Sequence, residues 1–233
     1  MKSIGLIGGL SWESTSTYYT LINQQTKHRL GGLHSAKIIM NSVDFAEIED
    51  LQRQGGWQQT AILLGNAAQS LESAGADFFL ICANTMHIVA EEVEAMASIP
   101  VLHIAEATAG ELVNDGRKKV GLLGTRYTME KDFYKQRLKD KFDIEVVVPD
   151  EAQREILHNI VYEELCLGII ADESRNKVLA MIDSLHQQGA ECIILGCTEI
   201  PLLVTQQDTD IPLYDTTAIH ARCAVELALA HKH

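Results

Sequence analysis

The sequence has no apolar stretch close to the roughly 20 residues that a membrane-crossing helix needs, so no such span is expected. It has no excess of positive charge: 19 lysines and arginines stand against 32 aspartates and glutamates, a net charge of −13. A field of that sign repels nucleic acid and anionic membranes. Any anionic substrate must then be held by local donors. No leader is expected, because Met1-Lys2 runs straight into a short apolar segment that ends in glycines. The five cysteines, Cys82, Cys166, Cys192, Cys197 and Cys223, are odd in number and lack framework spacing. Reduced thiols in a cytoplasmic protein are therefore expected. The histidines include no HExxH pattern, and no metal site is expected. "GLIGGL" lacks the G-x-G-x-x-G order, and no acidic residue holds a clear ribose position about 20 residues on, so no dinucleotide cofactor is expected.

What is present is an ordinary globular composition, 46% hydrophobic and 22% charged over 233 residues. That length suits one large or two small domains. Short β-rich runs alternate with helix-length stretches. Strands are expected at 3–7, 37–41, 77–82, 101–104, 119–123, 144–148, 192–195 and 212–214. Helices are expected near 12–30, 45–53, 57–74, 86–97, 129–139, 152–167 and 171–188, with a last one behind Asp215 as N-cap. The alternation predicts an α/β fold with mainly parallel sheets. The runs "FFLI" and "IILG" suit strands covered on both faces.

The two halves are alike. "IGLIGGL" at 4–10 matches "VGLLGT" at 120–125, and "GADFFLICANT" at 75–85 matches "GAECIILGCTE" at 189–199. Gly5 to Cys82 is 77 residues and Gly121 to Cys197 is 76. A repeat at this spacing predicts two similar lobes, 1–98 with 210–233 and 99–209, with a crevice at the strands' carboxyl ends. At each motif a strand end is followed by short hydroxyl or amide residues opening a helix, Asn84-Thr85 and Thr198-Glu199. The first amides of a helix lack internal partners and carry partial positive charge, which suits a carboxylate. A thiol near such an end is expected to have a lowered pKa and to serve as base or acid.

"GLIGGLSWEST", "ANTMH", "GLLGT" and "GCTEI" together resemble the cofactor-independent aspartate/glutamate racemase family, most closely its aspartate racemase branch. The resemblance covers essentially the whole chain. It implies two pseudo-symmetric α/β lobes, a homodimer, no pyridoxal phosphate or other cofactor, and a small amino-acid substrate held between the lobes. It places the second-lobe acid/base on Cys197, with Thr198 holding the substrate's carboxylate or amine. It matches Asn84 and Thr85 to the substrate-holding pair of lobe one. Leu10 and Ser11 match the loop after the first strand, and Gly124, Thr125 and Thr128 its counterpart in lobe two. The residue before Asn-Thr should carry the other acid/base, and here it is Ala83, which has no proton to give. Strand alternation turns Cys82 away from that side, so Cys82 is read as packed. A Thr or Cys replaced by Ala83 is the preferred reading, natural loss the other.

For the substrate's side-chain carboxylate the candidates are Gln52, Arg53, Arg126 and Tyr127. Cys166 stands where some relatives place a lysine. Glu199 is expected to orient Thr198 or cap the helix, and His87 and His220 are read as structural. The alternatives are a related isomerase or racemase acting on maleate or hydantoins, and a non-catalytic amino-acid-binding protein.

Overall fold

The computed structural model describes residues 1–230. The chain divides into two compact units, Met1–Ile104 together with the segment from His220 onward, and Ala105–Ile219. Each is a parallel sheet wrapped by helices.

In the first unit the order is β1 (Ile4–Gly8), α1 (Trp12–Leu30), β2 (Ile38–Ser42), α2 (Phe45–Gln54), α3 (Trp57–Ser73), β3 (Phe78–Ile81) and α4 (Ala90–Glu94). The strands pair in parallel in the order β2-β1-β3, with Ile7 opposite Asn41 and Ile81. β1 and β3 are buried throughout. Their alternate side chains therefore feed two cores. Ile4, Leu6, Phe78, Leu80 and Cys82 pack with Tyr18 and Ile22 of α1. Ile7, Phe79 and Ile81 pack with Leu64, Ala68 and Leu71 of α3.

The chain continues through α5 (Ile104–Asn114), β4 (Lys119–Gly124), α6 (Arg126–Glu130), α7 (Asp132–Phe142), β5 (Glu145–Val147), α8 (Glu151–Asn159), α9 (Asp172–Gln187), β6 (Ile193–Gly196), α10 (Ile200–Leu203) and β7 (Leu213–Asp215) to α11 (Thr216–Leu229). The second sheet is parallel in the order β5-β4-β6-β7. Asp215 caps α11 as expected: its carboxylate accepts the amides of Thr217 (2.9 Å) and Ala218 (3.1 Å).

Several expected elements are corrected. No strand forms at 101–104. Val101 makes one isolated parallel bridge to Phe79, and the chain enters α5 at Ile104. Pro100, which has no amide hydrogen, limits the pairing there. The helix expected over 86–97 is a 3₁₀ turn, Thr85–Val89, followed by the short α4; Val89 (φ −112°, ψ 16°) leaves helical geometry between them. The helix expected over 129–139 is α6 and α7, broken where Lys131 is extended (φ −75°, ψ 151°). The helix expected over 152–167 ends as α at Asn159 and continues as a π turn, Ile160–Glu164, and a 3₁₀ turn, Leu165–Leu167. The helix α5 was not expected at all.

Candidate active site

In the first unit the loops after β1 and β3 leave neighbouring parallel strands at their carboxyl ends, where open α/β sheets bind ligands. Gly9 is required after β1: its φ is +79°, and a Cβ there would lie 2.0 Å from the Val43 carbonyl oxygen. Its amide donates to the Thr15 hydroxyl (2.8 Å), which in turn donates to the Ser11 carbonyl (3.0 Å). Ser11 also sits at positive φ, +95°. Its hydroxyl caps α1 by accepting from the Ser14 amide (3.2 Å) and donates to Glu13 (3.1 Å). A residue other than glycine at such a φ is strained and held by its surroundings. Leu10 is buried in the core beneath.

At the end of β3 the alternation separates residues 82 and 83. Cys82 is fully buried on the α1 side, and Ala83, half-buried, packs on the α3 side. Burial pushes the Cys82 thiol far up, and the side chain lies in the core on the α1 side. Both carbonyls here are held by side chains. The Ser14 hydroxyl donates to the Cys82 oxygen (2.8 Å), and His87 Nδ1 bonds the Ala83 oxygen (2.8 Å). Asn84 and Thr85 follow, both buried. Gln52, on α2, is buried too, whereas Arg53 next to it is exposed and pairs with Asp50 on its own helix.

In the second unit Gly124 and Gly196 are register partners at the ends of β4 and β6. A Cβ on either would lie 2.9 Å from a backbone oxygen of the facing strand, so only glycine lets the strand ends close up. Thr125 caps α6, accepting the Thr128 amide (3.3 Å), and the two hydroxyls meet at 3.2 Å. Both threonines are buried. Tyr127 stacks edge-on to His158 (centroids 6.0 Å apart), and the exposed Arg126 lies over the Tyr127 ring (5.9 Å). Burial and then Arg126 hold the His158 pKa below its usual value.

Cys197 follows β6. It is 7% exposed and packs in the core of its unit, and its thiol donates to Glu199 Oε2 at 3.0 Å. Glu199 is 8% exposed. Thr198, between them, is more open. The helix behind them, α10, is a single turn of four residues. The expected lowering of a thiol pKa by a helix end is therefore corrected: a one-turn helix supplies little dipole, and burial first, then the Glu199 charge, push the Cys197 pKa well up. Cys166, in the 3₁₀ turn after the π turn, packs on the same core.

The structure thus brings Leu10, Ser11, Ala83, Asn84 and Thr85 to one pair of strand ends. It brings Thr125, Thr128, Cys197, Thr198 and Glu199 to another. Sequence reasoning missed the Ser14 and His87 links to the strand-end carbonyls and the direct Cys197–Glu199 bond. Among the described residues no group of three or more His, Cys, Asp or Glu side chains could hold a metal ion. No helix among them is long and apolar enough to cross a membrane.

The model of the Asp/Glu/Hydantoin racemase family matches residues 7–224. The chain belongs to that family. Among solved structures, a Yersinia pestis protein provisionally assigned as an Asp/Glu racemase is 57% identical, with a TM-score of 0.94 over 99% of this chain and 100% of that one. An aspartate racemase homologue from Pyrococcus horikoshii OT3 is 36% identical, with a TM-score of 0.87 and the same coverage. The broad specificity amino-acid racemase RacX of Bacillus subtilis is 26% identical over 98% of this chain and 99% of its own. The two solved structures share this chain's fold over essentially its full length.

Proposed function

We propose that this chain carries out cofactor-independent proton exchange at the α-carbon of an acidic amino acid, aspartate or glutamate. Cys197 is the acid/base on one face, and position 83 serves the opposite face. The observation that carries this reading is the buried Cys197–Glu199 hydrogen bond at the end of β6, in a chain of the racemase family.

A thiol held protonated by burial is a poor base until its proton has somewhere to go. Glu199 is that acceptor. The thiol proton moves along the existing bond to the Glu199 carboxylate, leaving thiolate and carboxylic acid with the pair's net charge unchanged. No charge enters or leaves a buried site, which avoids the desolvation cost of making a second buried anion. The thiolate then takes the α-proton, and the Cα–H electron pair passes into the substrate carboxylate as an enolate. The amides and hydroxyls of 84–85, 125–128 and 198 stabilise that charge, as preorganised donors do.

Return of a proton to the opposite face needs a donor at position 83. Alanine supplies none. This chain is therefore expected to exchange the α-proton of one enantiomer with solvent and to invert it slowly. Gln52, Arg53, Arg126 and Tyr127 are the candidates for the substrate's side-chain carboxylate, and a homodimer belongs to the same reading. The test is α-proton exchange in deuterium oxide, followed by NMR for each enantiomer of aspartate and glutamate. Exchange of one enantiomer that disappears in Cys197→Ser supports the reading. Exchange unaffected by Cys197→Ser overturns it.

Ala83 itself favours a second reading, an amino-acid-binding protein without turnover. Calorimetric binding of glutamate or aspartate with no exchange, even in Ala83→Cys, would establish that alternative.

A further inference from the structure

Three buried histidines, His87, His103 and His220, cluster in the first unit, and the acid–base chemistry proposed above uses none of them. The His87 ring lies 4.6 Å from that of His103 and 5.8 Å from that of His220, centroid to centroid. His220 is locked in turn: one ring nitrogen meets the Tyr18 hydroxyl (2.8 Å) and the other the Leu102 carbonyl (2.7 Å).

His87 is bonded through both nitrogens to backbone. The Ile104 amide can only donate, and it points at His87 Nε2 (3.2 Å). The Ala83 carbonyl can only accept, and it meets Nδ1 (2.8 Å). The pair of bonds fixes the hydrogen on Nδ1 and the lone pair on Nε2. Ile104 is the first residue of α5, so Nε2 satisfies one of the amides that a helix start leaves without an internal partner. One ring therefore ties the peptide of residue 83 to the start of a helix remote in sequence. The neighbouring carbonyl, of Cys82, is held by Ser14. Residues 83–85 carry no regular strand pairing of their own, so these side chains set where position 83 and Asn84 point.

We infer that His87 is a positioning residue, which in one fixed tautomer aims position 83 and Asn84 at the substrate. This rests on the functional reading above. It predicts an asymmetric loss: the face served by position 83 should suffer, and the face served by Cys197, in the other unit, should not. A reacting group moved by about 1 Å loses on the order of a hundredfold in rate.

The experiment uses the full chain carrying Ala83→Cys. The enantiomer whose exchange is gained through that substitution reports one face. The enantiomer whose exchange depends on Cys197 reports the other. Adding His87→Leu should lower exchange at the first face by about ten- to a hundredfold and leave the second within about threefold. His87→Asn, whose side-chain amide can donate to the residue 83 carbonyl as Nδ1 does, should recover most of the loss. The ¹⁵N spectrum of His87 should show the Nδ1–H tautomer. Equal losses at both faces, no loss at either, or the opposite tautomer would overturn the inference while leaving the function intact. An Ala83→Cys chain that exchanges no amino acid would overturn the functional reading, and this inference with it.

Discussion

Replacing His220 by glutamine should flatten the acid side of the stability curve. His220 is fully buried, and its two ring nitrogens meet the Leu102 carbonyl and the Tyr18 hydroxyl. A carbonyl only accepts, so Nε2 carries the hydrogen and Nδ1 accepts from the phenol, which describes a neutral ring. Burial first, then the neighbouring His87, push its pKa from 6.5 down to about 3. Below pH 6.5 the unfolded chain takes up a proton at this site, and the folded chain does not until about pH 3. The neutral ring is therefore tolerated without penalty above pH 6.5, and stability is lost as the pH falls towards 3. Each pH unit in that window costs about 1.4 kcal/mol, so roughly 2 kcal/mol goes between pH 6.5 and 5. A glutamine amide can donate to Leu102 but does not titrate. The variant should be weaker at pH 7 by about 1–2 kcal/mol through the altered bonds, yet should lack this component of the acid slope. Both tryptophans, Trp12 and Trp57, lie in the first unit, so urea unfolding followed by tryptophan fluorescence reads the unit that holds His220. Between pH 7 and pH 5 the parent should lose about 2 kcal/mol more than His220→Gln. Carboxylates common to both proteins cancel in the difference. Equal losses in the two proteins would refute the reasoning.

Other outcomes follow from the site and its scaffold. Ala83→Cys should raise racemisation of aspartate or glutamate by about 10²–10⁴-fold, the range that one positioned acid/base contributes, and Ala83→Thr should raise it in the same direction; polarimetry or chiral chromatography reads this, and two flat variants would remove the role given to position 83. Glu199→Gln keeps an acceptor for the Cys197 thiol but no group that can take its proton. Its α-proton exchange should fall at neutral pH by roughly 10²-fold or more and recover as the pH rises, and a profile matching the parent would count against proton transfer to Glu199. Gly9→Ala combines a φ of +79° with a Cβ 2.0 Å from the Val43 oxygen. It should cost about 3 kcal/mol or more in urea unfolding, and a near-neutral effect would mean that the loop after β1 can move aside.

The α/β class was legible because β1, β3, β4 and β6 are buried on both faces and appear as uninterrupted apolar runs between amphipathic segments. The opposite facing of residues 82 and 83 followed from the two-residue period of a strand. Asp215 was recognisable as a cap because a carboxylate two and three residues before free amides has an obvious partner. Helix breaks were harder to see. The turn after Ala83 and the π turn after Asn159 lie in sequences with good helix formers on both sides, and tertiary contacts decide them. α5 escaped notice because Pro100 and Val101 suggest extended chain and the helix begins only three residues later. The Cys197–Glu199 bond joins residues two apart, a pair that a helix turns to different sides and that a strand puts on one face but about 7 Å apart. Only the irregular backbone between β6 and α10 allows it. The same irregularity explains the thiol pKa: a helix end was expected to lower it, but the helix is one turn long and burial dominates.

The most direct test of the account is the α-proton exchange of D- and L-aspartate and D- and L-glutamate in deuterium oxide, with the parent chain and Cys197→Ser side by side. One enantiomer should exchange with the parent, with little inversion, and neither should exchange with Cys197→Ser. Exchange of equal rate in both proteins would contradict the role of Cys197 and the function built on it.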